Sequence, residues 1–179
     1  MSMVLDRTAV TTPQPTSDSG IRVRRMTRAD AAALDATFAG LSERSRFLRY
    51  HAATPRLTTR MRRALLDVDD SRHLAHVAEV IDPRGPRAIG IARMLDLGGG
   101  RAEVAVEVVD AWHRRGVGSL LLTSVARDAA RLGYVEVTAD VLPENRPVRR
   151  LFAAVFPDAV VDAGDGTIRI REWAGATVR

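Results

Sequence analysis

The chain has 179 residues, of which 46% are apolar, and this length suits one domain with a substantial core. It contains no cysteine, which excludes disulfides, thiolate zinc sites and a cysteine-bound acyl intermediate. No apolar run long enough to span a membrane and no signal-type segment is evident, so we expect a cytoplasmic protein.

Every one of the 27 basic residues is arginine, and with 22 acidic residues the net charge is +5 and the pI about 10.9. Because the guanidinium group hardly titrates below about pH 12, a modest net charge is enough for this pI. The arginines are interspersed with acidic residues, and no basic patch with interleaved aromatic residues is evident. We therefore expect no nucleic-acid partner.

Residues 1–19, rich in Thr, Pro, Ser and Gln, are expected to form a flexible tail, and residues 20–179 a single domain. Alternating apolar residues over 21–26 predict the first strand. Thr27, followed by Asp30 three positions later, predicts the N-cap of a short helix.

Periodicity and turn residues predict the later elements in chain order. These are helices at 41–50 and 58–66, strands at 73–81 and 88–95 joined by a turn at 83–86, a strand at 103–109, a helix reaching residue 132, a strand at 134–142, a helix after 143–147, and strands at 159–162 and 167–173 joined by a turn at 164–166. Strands and helices are mixed throughout one α/β (α+β) domain.

A strand, a glycine-bearing turn and a helix follow one another between residues 103 and 132. This order aims the unpaired backbone N–H groups and the positive dipole end of the helix at the end of a strand, which makes an anion site. Gly116 and Gly118 would let a phosphate approach the backbone without meeting a Cβ atom, and Arg114 and Arg115 add positive charge. The pattern predicts a pyrophosphate site.

Two other phosphate-binding loops fit less well. A Walker loop requires a lysine, which the chain lacks, and the dinucleotide-binding fingerprint requires a third glycine where Leu121 stands.

Residues 113–118, His-Arg-Arg-Gly-Val-Gly, resemble motif A of the GNAT (GCN5-related) N-acetyltransferases, Gln/Arg-x-x-Gly-x-Gly/Ala, with His113 at the first position. The segment Pro143-Glu144-Asn145-Arg146-Pro147 before a helix is similar to the family's motif B. Residues 41–50, 67–70, 76–78, 102–106 and 110–113 are similar to bacterial protein lysine acetyltransferases of the Pat type.

The resemblance covers roughly residues 21–173 and implies the GNAT fold. That fold is a twisted, mixed, mostly antiparallel sheet of about six to seven strands flanked by helices, with a V-shaped opening between strands 4 and 5. It implies acetyl-CoA as cofactor, no metal, and acetyl transfer to a primary amine, with a protein lysine side chain preferred over a small-molecule amine. A non-catalytic acyl-CoA-binding module and a homodimer are left open, and no membrane partner is expected.

An alkyl ammonium group must lose a proton before it can attack a thioester, and a carboxylate is the usual acceptor of that proton. Glu103 and Glu107 lie four residues apart on the predicted strand and share the face of Ala105. The resemblance places Glu103 where relatives keep a catalytic glutamate, so we predict it as general base. Glu107 is the second candidate, or a partner that raises the pKa of the base by like-charge repulsion. Alternatively, both occupy a solvated strand face.

The resemblance also implies a cofactor-binding set. Backbone groups of the strand end would bind the pantetheine arm and polarise the thioester carbonyl, the turn would bind the pyrophosphate, and the second helix would add contacts. The predicted residues are Val108, Val109, His113, Arg114, Arg115, Gly116, Val117, Gly118, Ser119, Asn145 and Arg149. Asn145 either contacts pantetheine or only caps its helix.

Protonation of the leaving thiolate lacks an obvious donor. Many GNAT enzymes use a tyrosine seven residues after the motif B asparagine, and this position is Phe152. Tyr50 and Tyr134 are the substitutes, and Trp112 is expected to cover the phosphate loop.

An acidic segment, Asp67, Asp69 and Asp70, is a candidate for attracting a cationic acceptor to the mouth of the cleft.

Overall fold

The computed structural model describes residues 20–83, 85–163 and 168–173. The predicted tail at 1–19 and hairpin turn at 164–166 lie outside the described residues. The strands are β1 (Ile21–Arg25), β2 (His73–Asp82), β3 (Gly85–Gly98), β4 (Arg101–Val108), β5 (Glu136–Val141), β6 (Val160–Ala163) and β7 (Ile168–Trp173). The helices are α1 (Ala31–Ala39), α2 (Glu43–Tyr50), α3 (Thr59–Leu66), α4 (Val117–Arg131) and α5 (Arg146–Val155), with a 3-10 turn at Asp110–Trp112.

The strands form one sheet in the order β1-β2-β3-β4-β5-β7-β6. Neighbouring strands are antiparallel except β4 and β5, which run parallel. The parallel pair is joined by α4, as a parallel connection requires a crossover.

The β4–β5 pairing is short and sets the position of the site. Only Arg101–Glu103 pairs with Glu136–Thr138, and from Val104 onward β4 has no partner on that side. The two strands therefore diverge toward their carboxyl ends, which confirms the expected opening and the mixed, mostly antiparallel sheet.

Each face of the sheet carries its own core. One cluster joins the sheet to α4 and α5 through residues such as Leu121, Val125 and Phe152. The other joins it to α1 and α3 through Leu34, Ile91 and their neighbours. Burial on both faces explains the near-continuous apolar runs of the central strands.

The predicted start of α1 is wrong in one detail. The helix begins at Ala31 with Asp30 as N-cap, and residues 28–30 form a turn. Asp30 still accepts from the Thr27 N–H at 2.7 Å, but its carboxylate also pairs with Arg24 at 2.7 Å. Asp30 is thus held by both Thr27 and Arg24, and the helix begins directly after it.

Among the described residues, no helix is long and apolar enough to cross a membrane.

Candidate active site

A cleft of about 890 Å³ lies in the opening between β4 and β5. Residues 104–108 of β4 form its floor, Glu103 lies in its wall, α2 lies along one side, and α5 with the start of α4 lies along the other. The cleft thus brings the predicted catalytic strand and the predicted phosphate loop together.

The start of α4 presents its backbone to this cleft. Gly116 occupies the N-cap position at φ +78°, and no side chain caps the helix. The first amides of a helix have no intrahelical partner, so those of Val117, Gly118 and Ser119 are available to an anion. Arg114 lines the cleft at φ +58°, a conformation that costs a non-glycine residue about 1 kcal/mol.

The two loop glycines have different reasons for lacking a side chain. A Cβ atom on Gly116 would meet nothing within 4 Å, so its role is the left-handed backbone that turns the chain into α4. A Cβ atom on Gly118 would lie 2.9 Å from Leu151 Cδ2. Close packing between α4 and α5 is therefore a further reason for a glycine here, besides the predicted approach of a phosphate.

Not all of the predicted loop residues face the cleft. His113 lines it and its Nε2 lies 2.8 Å from the Val108 carbonyl oxygen. The Arg115 guanidinium stacks over the Trp112 ring at 4.9 Å from the centroid and lies outside the cleft lining. Trp112 itself lines the cleft beside the loop, as expected of a cover.

The backbone edge of β4 differs by one residue from the expectation. The Val109 N–H donates to the carbonyl oxygen of Ile89 on β3 at 2.9 Å, so this N–H faces β3 and not the opening between β4 and β5. Because hydrogen-bonding direction alternates along an antiparallel strand, Val106 and Val108 direct their backbone groups toward β5. The exposed edge therefore consists of Val106 and Val108 rather than Val108 and Val109.

Asn145 is buried, lines the cleft and caps α5, with its Oδ1 accepting from the Val148 N–H at 3.4 Å. Arg149 lies on the other side of α5, 3.5 Å from the Pro143 carbonyl oxygen, and does not line the cleft. Its neighbour Arg150 does. At 100° per residue, position 149 is opposite the cleft-lining positions 147 and 151.

Glu103 lies in the wall of the cleft with its side chain exposed to solvent. It pairs across the sheet with Leu95, which is 48% exposed. A carboxylate that is both in the cleft and open to solvent is reachable by an incoming acceptor.

Glu107 also lines the cleft, but its side chain is buried within a charged cluster. Its Oε2 accepts from the Tyr50 hydroxyl at 3.0 Å and lies 3.5 Å from Arg49 Nε. Its Oε1 lies 3.9 Å from Nη2 of the buried Arg93, whose Nη1 donates to the Leu65 carbonyl. Burial, and next the charge of Glu107, raise the pKa of Tyr50, so the phenol stays protonated.

The structure separates the two substitute tyrosines. Tyr50 lines the cleft, whereas Tyr134 donates its hydroxyl to the Ser71 carbonyl at 3.1 Å and lies outside the cleft. Phe152 is buried against Phe156, with ring centroids 5.8 Å apart.

None of the three aspartates of the acidic segment lines the cleft, and each has a partner within the protein. Asp69 Oδ1 accepts from the backbone N–H groups of residues 71–73 at 2.7–3.0 Å. Asp67 pairs with Arg28 and Asp70 lies 3.6 Å from Arg25.

Several cleft residues were not predicted, chiefly Arg49, His51 and Arg150. The helical phase of Ser45, Leu48 and Arg49 is visible in the sequence, but nothing in it says that α2 lies beside β4. Within the described ranges, no three His, Asp or Glu side chains converge as metal ligands.

In a comparison with protein families, the family described as the acetyltransferase (GNAT) domain matches residues 21–155 of this chain. Among solved structures, the GNAT domain of Streptomyces lividans PAT is 28% identical, with a TM-score of 0.77 over 84% of this chain and 89% of that one. Salmonella typhimurium yncA, solved with its cofactor acetyl-CoA, is 18% identical, with a TM-score of 0.63 over 89% of this chain and 97% of that one.

A cAMP-binding acyltransferase from Mycobacterium smegmatis is 23% identical, with a TM-score of 0.61 over 91% of this chain and 47% of that one. A comparison with curated proteins found no match. The domain match over most of the chain, with the fold and the cleft described above, shows that this chain belongs to the GNAT acetyltransferases.

Proposed function

We propose that the protein transfers an acetyl group from acetyl-CoA to a primary amine, with a protein lysine side chain as acceptor and Glu103 as general base. The observation that carries this proposal is the cleft itself. It has free helix amides at one end, an unpaired strand edge along its floor and an exposed carboxylate in its wall.

The residues of the cleft fit coenzyme A. The uncapped start of α4 and Arg114 would hold the pyrophosphate. The backbone groups of Val106 and the N–H of Val108 would pair with the amides of the pantetheine arm, while His113 engages the Val108 carbonyl. Acetyl-CoA supplies an activated acetyl group as a thioester.

Glu103 would take the proton from the acceptor ammonium, so that the neutral amine can attack the thioester carbonyl. A backbone N–H of the β4 edge would stabilise the negative charge that develops on the carbonyl oxygen. Phe152 has no proton for the leaving thiolate, so that proton comes from water or from the Tyr50 hydroxyl.

A protein acceptor is favoured by the exposure of Glu103, since the base can be reached from bulk solvent by a side chain carried on a large partner. The similarity of residues 41–50 to Pat-type enzymes supports the same choice.

The test is a coenzyme A release assay on a panel of peptides and small amines, comparing wild type with Glu103→Gln. We expect kcat to fall by about 100-fold or more, because general-base catalysis is worth about 10²–10⁴-fold. Glu144→Gln, which removes an exposed carboxylate outside the cleft, is the matched control and should keep wild-type kcat. Equal rates for wild type and Glu103→Gln would reject the assigned base, and no transfer to any amine would reject the activity.

A further inference from the structure

The positive charge of the protein is concentrated in one segment. Residues 41–66, which we call the α2–α3 wall, contain seven of the 27 arginines and only one acidic residue, Glu43. Their net charge is +6, which leaves −1 for the other 153 residues. The expectation that the arginines are interspersed with acidic residues therefore does not hold for residues 41–66.

Three arginines of the wall are engaged within the protein. Arg62 pairs with Asp35 at 2.6 Å, Arg49 lies beside Glu107, and Arg46 stacks over the Phe38 ring at 4.3 Å from the centroid. The other four are exposed, and none forms an ion pair with a described residue. They are Arg44, Arg56, Arg60 and Arg63.

The α2–α3 wall borders the cleft through α2. Ser45, Leu48 and Arg49 of α2 line the cleft, and Arg44 lies one turn before Leu48 on the same face. Neither α2 nor α3 contains a buried residue. Arg44 therefore lies beside the cleft, whereas no residue of α3 lines it, so Arg60 and Arg63 act on a partner large enough to extend from the cleft onto α3.

We propose that the α2–α3 wall recognises acidic residues flanking the acceptor lysine on a protein partner. This inference rests on the proposed function. The four free guanidinium groups are spread over two helices and the segment between them, so they do not converge on one small anion. A nucleic acid would match the charge but offers no alkyl amine to accept an acetyl group. An acidic protein surface that carries a lysine supplies both.

Exposed charges of this kind act mainly on encounter. They raise the association rate of an oppositely charged partner, and salt screens them over about 10 Å at 0.1 M. The preference should therefore appear in kcat/KM, and it should weaken as ionic strength rises.

The experiment uses three peptides with the same central lysine, flanked by Asp and Glu, by Asn and Gln, or by Arg. Transfer is measured as kcat/KM at 50 and 500 mM salt, and peptide binding is measured separately by fluorescence anisotropy. For wild type at low salt we expect kcat/KM for the acidic peptide to exceed that for the neutral one about tenfold, with most of the ratio lost at high salt.

Arg60→Gln/Arg63→Gln removes two charges of the wall, and Arg101→Gln/Arg127→Gln removes two exposed charges from β4 and α4. The first double variant should reduce the acidic-to-neutral ratio, in kcat/KM and in affinity, by about three- to fivefold. The second should keep the wild-type ratio. Since both change the net charge equally, only the position of the charges differs.

Three results would overturn the inference: equal kcat/KM for all three peptides, equal loss in both double variants, or weaker coenzyme A binding in Arg60→Gln/Arg63→Gln by calorimetry. Tight DNA binding at low salt that the same variant abolishes would also overturn it, in favour of a nucleic-acid partner. If acetyl transfer occurs without any preference among the peptides, the proposed recognition role of the α2–α3 wall is rejected and the proposed function stands.

Discussion

Glu103 and Glu107 show how two identical side chains on one strand face acquire different environments. Both point to the same side of β4, but Glu103 lies in the open part of the cleft and Glu107 lies beneath α2. Arg49, Arg93 and Tyr50 surround Glu107. The Glu107 carboxylate therefore serves as the counter-ion of buried positive charge. Glu103 is left free to exchange protons with an acceptor.

We expect Glu107→Gln to lower the free energy of unfolding by about 3 kcal/mol, because it leaves the buried Arg93 without a compensating charge. Urea denaturation of the purified protein measures this. Glu103→Gln, at an exposed position of the same strand, is the control and should change the value by less than about 0.5 kcal/mol. An unchanged unfolding free energy for Glu107→Gln would mean that Arg93 does not depend on this carboxylate.

At the scale of elements, the helix starts around the cleft are built differently. Ser42, Thr58 and Asn145 cap α2, α3 and α5 with side-chain oxygens. In contrast, α4 begins at Gly116 with no capping side chain, at the place where its amides face the cleft. The start of α1 also lacks a capping side chain, but α1 does not line the cleft, so α4 is the helix beside the cleft whose first amides are left to a ligand.

Asn145 tests whether the start of α5 also takes part in binding. Asn145→Ala should destabilise the protein by about 1 kcal/mol through loss of the cap, and Asn145→Ser should retain most of that stability. Isothermal titration with coenzyme A then separates the two roles. A residue that only caps gives wild-type affinity in Asn145→Ser, whereas a residue that also contacts pantetheine gives weaker binding in both variants.

At the scale of the whole molecule, an ionic cluster around a buried carboxylate joins β1 and β2 to α4. His76 of β2 is fully buried, with Nε2 3.2 Å from Oδ2 of Asp128 on α4. Arg25 of β1 approaches the same carboxylate at 3.0 Å, and Arg131 contacts it too. Burial, then the charges of Arg25 and Arg131, lower the pKa of His76 to about 4, although the charge of Asp70 opposes this shift.

Because the unfolded chain binds a proton on His76 near pH 6.5 and the folded protein does so only near pH 4, stability should fall as pH drops through this window. The expected loss is about 2 kcal/mol between pH 6.5 and 4.5. Urea denaturation at several pH values measures it. His76→Gln should flatten the dependence of the unfolding free energy on pH. A smaller dependence should remain from His73, because burial lowers the pKa of that residue too. His51→Gln, at an exposed position, should keep the wild-type slope.

The order of elements and the phosphate loop could be predicted from sequence because both rest on local patterns. Alternating or near-continuous apolar residues mark β1 to β5, and the glycines at 116 and 118 stand between a strand and an amphipathic helix. The boundaries are off by a few residues where turns and side-chain pairs intervene, as Arg24 and Asp30 do at α1.

The sequence alone determined that this chain forms a mixed α/β domain with a loop, strand and helix suited to a coenzyme A site, since those features depend on neighbours in the chain. Only the tertiary structure decided which side chains share the cleft. Packing of α2 over β4 buries Glu107 and leaves Glu103 open, and the phase of α5 turns Arg149 away and Arg150 inward. Such choices depend on contacts between distant segments, which no local pattern encodes.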